Sequence, residues 1–77
     1  MRPKTLEQLA RQCADWNAAH KPGTAVEYRE VLSGAGPVLR TTTRSEAQVL
    51  GGHTAVVWIT GKTGAVALDH CDPDFDQ

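Results

Sequence analysis

The stretch TAVEYREVLSGAGPVLRTTT, residues 24–43, decides the fold of this chain. Its first part alternates apolar side chains, such as Val26 and Tyr28, with charged ones, which predicts a strand over about residues 24–31. The segment SGAGP then supplies the residues of a turn. A second alternating segment follows it and predicts a strand over about residues 37–43.

Charged side chains fix how these two strands pair. A register that places Tyr28 opposite Leu39 also places Glu27 opposite Arg40, whereas a slip by one pairing step places Arg29 opposite Arg40. Like charges directly opposite each other are unfavourable, and the register decides which face each side chain occupies. We therefore predict an antiparallel hairpin in the first of these registers.

The period of the apolar side chains before this hairpin is that of a helix. Thr5 and Gln8 have the spacing of a capping box, and the apolar residues behind them recur every three or four positions. This pattern predicts a helix over about residues 5–19. The Lys-Pro-Gly segment at 21–23 ends it, because proline disfavours a helical predecessor and glycine allows a turn.

The chain beyond the hairpin predicts a short helix and two further strands. Ser45 and Gln48 again match a capping box, and the glycine pair 51–52 stands where a helix closes, so SEAQVLGG predicts one to two helical turns. The segment TAVVWIT (54–60) is the most strand-like in the chain. The turn GKTG leads from it into a fourth strand, AVALDHC (65–71), after which the acidic segment DPDFDQ is expected to fray.

These elements predict an α+β fold in one domain of residues 1–77, with its ordered part over about residues 5–72. The N-terminal helix is followed by a small, strongly bent antiparallel sheet of about four strands, with a one-turn helix between the second and third strands. Such a sheet approaches an SH3-like barrel, and the helix would cover one face or opening of it. The main alternative is a plain four-stranded sheet with the helix on one side.

Composition narrows the classes of function. The chain has 77 residues, of which 40% are hydrophobic and 22% are charged, with a formal net charge of −1. Most lysines and arginines lie in residues 1–44, and residues 45–77 are acidic, but neither half is a basic tract. Because phosphate neutralisation supplies most of the affinity for nucleic acids, this charge balance disfavours a nucleic-acid binder.

Hydropathy and cysteine content bear on the compartment. The longest apolar run, Ala55 to Ile59, is far shorter than the roughly 20 residues of a membrane span, and the first residues lack the apolar segment of a signal peptide. We therefore expect a cytoplasmic protein that does not enter a membrane. In that compartment Cys13 and Cys71 are expected to be reduced thiols.

Catalytic and metal-binding patterns are weak in this sequence. The GKTG segment lacks the glycine that a phosphate loop needs five residues before it, since Val56 stands there. The three histidines and two cysteines do not have the spacing of a zinc site. Cys13 lies on the apolar face of the predicted helix, where a buried, inert thiol is the commoner finding. We expect no enzyme activity, no cofactor and no metal.

Five side chains are candidates for binding a partner: Arg40, Arg44, His53, Trp58 and Lys62. Arginine forks and hydroxyl groups both donate to phosphate or carboxylate, so Arg40, Arg44 and the threonines 41–43 form a possible anion cradle. The alternative is a set of surface ion pairs, in which Arg40 pairs with Glu27, and Arg44 with Glu46 or the acidic tail.

His53 and Trp58 each have two interpretations. The ring of His53 either bonds the open backbone groups at the end of the predicted short helix or is presented to a partner. If Ile59 faces the core, Trp58 and its neighbour Val56 face the other way. Either the N-terminal helix covers them through Leu9 and Trp16, or they form an exposed apolar patch that binds a partner.

Three stretches of this chain carry a resemblance: WNAAHKPGTAVEY, TTTRSEAQVLGGHTAVVW and GKTGAVALDHCDP. Together they resemble a family of small uncharacterised proteins encoded by tailed bacteriophages and prophages. The resemblance covers about residues 15–73 and rests on a Trp-Asn pair near the helix end, a His-Pro-x-Gly-Thr turn, a Thr-Arg-Ser-x-Ala segment, a Gly-Gly-His-Thr turn and a Val-Val-Trp strand. Lys21, inserted between His20 and Pro22, departs from this pattern. The resemblance implies a phage accessory protein acting inside a bacterium, and it implies no particular chemistry.

Size, charge and this resemblance favour a non-enzymatic binding module that engages or modulates a host or phage protein, for instance as an inhibitor of a host system. The alternative is an SH3-like nucleic-acid-binding domain that uses Arg29, Arg40, Arg44 and Lys62, with Trp58 as a stacking platform. A structural role in the virion is a third possibility.

Overall fold

A computed structural model of the chain describes residues 4–30 and 36–75. Within these ranges one α-helix is followed by six short strands and one 3-10 helix. They are α1 (Leu6–Ala19), β1 (Ala25–Arg29), β2 (Val38–Thr42), β3 (Gln48–Leu50), β4 (Thr54–Val57), β5 (Val66–Ala67), the 3-10 helix (Leu68–His70) and β6 (Cys71–Asp72). The strands form two antiparallel sheets, in the orders β2-β1-β6 and β3-β4-β5. The α+β class with an N-terminal helix is confirmed.

The helix α1 begins at its predicted capping box. The hydroxyl of Thr5 accepts from the backbone N–H of Gln8 at 3.1 Å, and the side chain of Gln8 accepts from the backbone N–H of Thr5 at 2.8 Å. One face of the helix buries Leu9 and Cys13, and it packs against β3 and β4. Burial of this face stabilises the helix more than its intrinsic propensity does.

The register of the first hairpin is as predicted. Tyr28 lies opposite Leu39, and Glu27 lies opposite Arg40. The rule that two arginines do not lie directly opposite each other therefore predicted the correct pairing. Residue 31 of the predicted strand, and most of the predicted turn at 33–37, lie outside the described residues.

The short helix predicted over SEAQVLGG is wrong, because residues 48–50 form the strand β3. The cause lies in α1: the side-chain amide of Asn17 donates to the carbonyl of Ala47 at 3.0 Å, and its oxygen accepts from the backbone N–H of Ala47 at 2.8 Å. These bonds occupy backbone groups that a helix would use. The hydroxyl of Ser45 accepts from the N–H of Trp58 at 3.2 Å and is therefore not a helix cap.

The glycine pair that suggested a helix end instead turns a hairpin. Gly51 and Gly52 have φ angles of 64° and 76°, and the N–H of His53 reaches the carbonyl of Leu50 at 3.4 Å. Two successive residues with positive φ are typical of the tight turns that join antiparallel strands. The turn brings β3 and β4 together, with Leu50 opposite Thr54.

A bulged segment between β2 and β3 links the two sheets. Beyond β2, Thr43 forms a bridge with Ile59, and the N–H of Arg44 donates to the carbonyl of Trp58 at 2.9 Å. Pairing with β4 resumes at Gln48, so residues 44–47 bulge out against a shorter opposite segment. A bulge of this kind bends a strand and increases its twist. It takes the chain from the first sheet into the second.

The predicted fourth strand is broken into three pieces. Val66 of β5 lies opposite Val57 of β4, the 3-10 helix follows, and Cys71 of β6 lies opposite Tyr28 of β1. The segment therefore starts in the second sheet and ends in the first. In place of the single sheet of about four strands that the sequence predicts, the described residues form two sheets of three strands.

The core unites α1 with both sheets. Its buried members are Leu9, Cys13, Val26, Ala47, Ala55, Val57, Ile59, Val66, Leu68 and Cys71. Three of these side chains, Val26, Val57 and Ile59, are fully buried. No helix of the described ranges is long and apolar enough to span a bilayer.

The acidic segment after the core is more ordered than predicted as far as residue 75. Asp72 belongs to β6, and the side chain of Phe75 lies under the guanidinium of Arg40, 5.1 Å from its carbon to the ring centroid. Cation–π contacts of this length are attractive. Residues 76–77, for which fraying is also predicted, lie outside the described part of the chain.

Both cysteines are free and buried. Burial raises the pKa of the Cys71 thiol from 9.0 to about 11 and raises that of Cys13 as well. Between about pH 9 and pH 11 the unfolded thiol of residue 71 loses its proton while the folded one keeps it, so stability falls as the pH rises. We expect Cys71 to contribute a loss of up to about 1.4 kcal/mol per pH unit in this window.

The measurement is urea denaturation of the wild type and of Cys71→Ala at several pH values from 8 to 10.5. The difference in unfolding free energy between the two proteins should shrink as the pH rises, because only the wild type carries this thiol. A difference that stays constant across the range would contradict the buried, protonated state of Cys71.

Candidate functional site

The outer edge of β2 is open along part of its length. The N–H of Thr43 donates to the carbonyl of Thr24 at 2.9 Å, and its carbonyl accepts from the N–H of Gly23 at 2.7 Å. The backbone groups of Thr43 therefore face the β1 side, and those of Val38 and Arg40 face outward, since they alternate along a strand. Within residues 4–30 and 36–75, no backbone bond is made by these outward groups.

The side chains on this edge are apolar and exposed. Val38 is 42% exposed and Leu39 is 37% exposed, which makes them two of the four large apolar residues that the described chain leaves open to solvent. Beside them lies a groove of about 280 Å³. It is lined by Tyr28, Glu30, Pro37, Val38, Leu39, Gly61 and Lys62.

Lys62 supplies the cation of this groove. Its ammonium lies 5.6 Å from the ring centroid of Tyr28 and 3.9 Å from a carboxylate oxygen of Glu30. Burial, with smaller contributions from the charges of Glu30 and Cys71, raises the pKa of the Tyr28 phenol. The groove thus combines an aliphatic wall, a neutral phenol and one ammonium group with a distant carboxylate, which suits an apolar group whose anion replaces Glu30 beside Lys62.

Arg40 lies on the face of the first sheet opposite to Leu39, and Glu27 binds it there. The Nε of Arg40 donates to one carboxylate oxygen of Glu27 at 3.2 Å, and Nη2 of Arg29 donates to the other at 2.6 Å. Glu27 itself is only 6% exposed. The predicted Arg40–Glu27 pair is therefore confirmed, and it engages Arg40 in place of the predicted anion cradle.

Neutralising Glu27 tests this cluster of charges. We expect Glu27→Gln to lower the free energy of unfolding by about 1–2 kcal/mol, because glutamine has one acceptor oxygen, keeps one of the two arginine bonds and loses the negative charge, while the arginines remain partly exposed and screened. Urea denaturation at low salt measures the effect. The control is Glu30→Gln, whose side chain is 55% exposed and should cost less than about 0.5 kcal/mol. Equal effects of the two changes would show that the buried carboxylate is unimportant.

Arg44 fixes the turn that carries Lys62. Its Nε donates to the carbonyl of Ile59 at 3.2 Å, and its Nη2 donates to the carbonyl of Lys62 at 3.1 Å. These donors serve backbone carbonyls, and among the described residues Arg44 has no ion pair with the predicted partners Glu46 or the acidic segment. Arg44 positions the Lys62 end of the groove.

His53 is exposed at the turn between β3 and β4, at the opposite end of β4 from Lys62. Its Nδ1 lies 3.1 Å from the hydroxyl of Thr54. The ring covers Gly51, since a Cβ atom built there would lie 3.0 Å from Nε2 of His53. The predicted contact with a helix end does not occur because the hairpin replaces that helix.

The two glycines of this turn should differ in their tolerance of alanine. Both have positive φ, which costs an alanine about 1–2 kcal/mol, but only Gly51 also meets the His53 ring. We expect Gly51→Ala to lower the unfolding free energy by roughly 0.5–1 kcal/mol more than Gly52→Ala. Thermal or urea unfolding measures this excess, which should disappear in a His53→Ala background. If it persists there, the His53 contact does not cause it.

Trp58 does not pack against the core cluster. The core cluster contains Leu9, Val57 and Ile59, and Trp16 packs against it, but Trp58 does not belong to it. Trp58 is half-buried, Val56 is only 4% exposed, and neither is among the exposed large apolar residues of the described chain, so they do not form the predicted exposed patch. The backbone of Trp58 bonds to Arg44 and Ser45.

The structure brings together two of the five predicted binding residues, Lys62 and Arg44, through the turn at 59–62. Sequence reasoning missed Tyr28, Val38 and Leu39 as parts of a groove. The predicted register was the signal that could have found them, because it places Tyr28 opposite Leu39 on the outer strand of a sheet. In the described part of the chain, no three His, Cys, Asp or Glu side chains are grouped as a metal ion requires.

Comparison of the chain with family models, with curated proteins and with solved structures finds no match.

Proposed function

We propose that this chain is a small non-enzymatic binding protein that engages or modulates another protein through the open edge of β2 and the adjacent groove. The observation that carries the proposal is the exposure of Val38 and Leu39 on a strand edge where the outward backbone groups of Val38 and Arg40 have no backbone partner in the described residues, although the next outward carbonyl, that of Thr42, accepts from the N–H of Thr60 at 2.9 Å. Proteins normally cover, twist or charge such edges, because an exposed edge pairs readily with another chain.

We propose further that the protein is a phage accessory product that acts on a host or phage protein in the bacterial cytoplasm. The resemblance of residues 15–73 to small proteins of tailed phages supports this context.

An SH3-like barrel is our proposal for the finer topology. Three features support it. The bulge at residues 44–47 links β2 of one sheet directly to β3 of the other, a 3-10 helix separates β5 from β6, and β6 returns to pair with β1. In this proposal the two sheets are the halves of one strongly curved antiparallel sheet.

Nucleic-acid binding is the less favoured alternative. Glu27 occupies Arg29 and Arg40, and Arg44 donates to backbone carbonyls, so three of the four cations proposed for this role are engaged within the chain. Only Lys62 faces the groove with a long, weak ion pair. This alternative requires a binding affinity that falls steeply with salt.

Affinity capture from bacteria that express the tagged protein, with and without phage infection, tests the proposed function. The decisive variant is Leu39→Thr, which removes apolar surface from the groove but keeps a residue suited to a strand. The matched control is Leu50→Thr, because Leu50 is also on a strand and is 48% exposed. The wild type and the control should capture the same partner, and Leu39→Thr should lose it.

Two results would overturn the proposal. One is the absence of any reproducible protein partner, and the other is equal capture by Leu39→Thr and the wild type. Recovery of nucleic acid in place of protein, lost at moderate salt, would favour the alternative function.

A further inference from the structure

We infer that the partner presents an extended, acidic segment that joins the first sheet as a strand beside β2. This inference rests on the proposed function and specifies the partner's chemistry. It has three grounds: the outward backbone groups of β2, the shape of the groove, and the charge along the edge.

The backbone groups set the conformation of the partner. Val38 and Arg40 stand two positions apart, and each directs one N–H and one carbonyl away from β1. An extended chain presents its own donors and acceptors at the same two-residue interval, whereas a helix satisfies its groups internally. A short extended segment alongside β2 therefore satisfies all four groups, as in other cases of strand addition.

The groove sets which side chain the segment carries. Tyr28 and Leu39 lie directly opposite each other and so share one face of the sheet. An added strand would alternate its own side chains between the two faces, and one of them would enter the groove of about 280 Å³ beside Leu39. The aliphatic and phenolic walls of the groove suit an apolar side chain there.

Charge favours an acidic segment over a second copy of this chain. Lys62 is the cation in the lining of the groove, and its ion pair with Glu30 is long, at 3.9 Å. Arg29 and Arg40 lie on the other face of the sheet, where Glu27 holds both. Two copies paired edge to edge would place like charges together, whereas a carboxylate of another protein would meet Lys62 favourably.

The test uses a displayed library of random heptapeptides, selected on the immobilised full chain. Selected sequences should place apolar residues at alternate positions with Asp or Glu beside them. Synthetic copies of the selected peptide, each N-methylated at one backbone position, then report the binding mode. Methyl groups at alternate positions should weaken binding about tenfold or more, and those between them should change it less than about twofold.

Two variants of Val38 test the same backbone hydrogen bonds by changing the chain in place of the peptide. Val38→Pro removes the outward N–H, which an edge strand tolerates, and Val38→Thr keeps it. The proline variant should bind the peptide about tenfold more weakly than the threonine variant. Circular dichroism establishes that both variants are folded.

Three results would overturn this inference. They are an N-methyl scan without alternation, equal binding by the two Val38 variants, and self-association of the wild type that Val38→Pro abolishes. If no peptide is selected while affinity capture still yields a partner that depends on Leu39, the inference fails and the proposed function stands. If neither experiment yields a partner, both fail.

Discussion

Replacement of Ile59 by alanine lowers the free energy of unfolding by about 2–5 kcal/mol. This side chain has 0% exposure, and its residue bridges to Thr43 at the point where the two sheets meet. Its removal leaves a cavity that the surrounding strands cannot fill, because the carbonyl of Ile59 is tied to Arg44 at 3.2 Å. A loss of this size is a large part of the total stability of a domain of 77 residues.

Urea denaturation followed by tryptophan fluorescence measures this loss. The matched control is Leu50→Ala, since Leu50 is 48% exposed and should cost no more than about 1 kcal/mol. The variant Ile59→Val should lose about 0.5–1.5 kcal/mol of unfolding free energy, which lies between the wild type and the alanine variant. Similar losses for the two alanine variants would mean that Ile59 does not occupy the packed position described for it.

Replacement of Asn17 by alanine should cost about 2–4 kcal/mol. The Asn17 side chain forms two bonds with the backbone of Ala47, at 3.0 and 2.8 Å, and Ala47 is only 5% exposed. Without them, an N–H and a carbonyl are left buried and unpaired, and the bulge at residues 44–47 loses its link to α1. The expected loss therefore exceeds that of an ordinary surface hydrogen bond.

Urea denaturation gives the size of the Asn17 effect, and amide hydrogen exchange gives its location. Exchange at Ala47 should accelerate in Asn17→Ala more than exchange at Val57 in the centre of the second sheet. The control is Asn17→Asp, which still accepts from the N–H of Ala47 but cannot donate to its carbonyl, so it should be intermediate. Unchanged protection of Ala47 in the alanine variant would refute this role of Asn17.

The elements that local interactions determine were predictable from the sequence. The capping box of Thr5 and Gln8 and the pairing of Glu27 with Arg40 depend on residues that are close along the chain or in one hairpin. Ser45 and Gln48 show the same capping pattern, yet no helix forms there. The difference is a partner 30 positions away, Asn17, which no local pattern reveals.

The remaining errors in the predicted fold come from sequence patterns that are compatible with more than one structure. A glycine pair such as 51–52 serves a helix end and a hairpin turn equally well, because both require positive φ. The segment 65–71 has the alternation of one strand, but its two halves pair with different partners, β4 and β1. Alternation specifies which side chains face the core and does not specify which strand lies alongside.

The candidate site was predictable only in part, for the same reason. Lys62 and Arg40 attract attention in the sequence as cations near strands, but their engagement depends on Glu27 and Glu30 in the fold. Tyr28 and Leu39 look like ordinary core positions of an alternating strand. Their place at the rim of the core follows from β2 lying at the outside of its sheet.

The pairing of β6 with β1 has a consequence for the order in which the strands of the first sheet pair. Tyr28 and Cys71 lie about 40 positions apart along the chain, so this pairing pays a loop-closure entropy that the hairpins do not. We therefore expect the pairing of β6 with β1 to form later than the hairpins. A nascent chain that has not yet released residues 71–75 from the ribosome lacks β6 and the contact of Phe75 with Arg40, so that β1 and β2 form this sheet without their third strand.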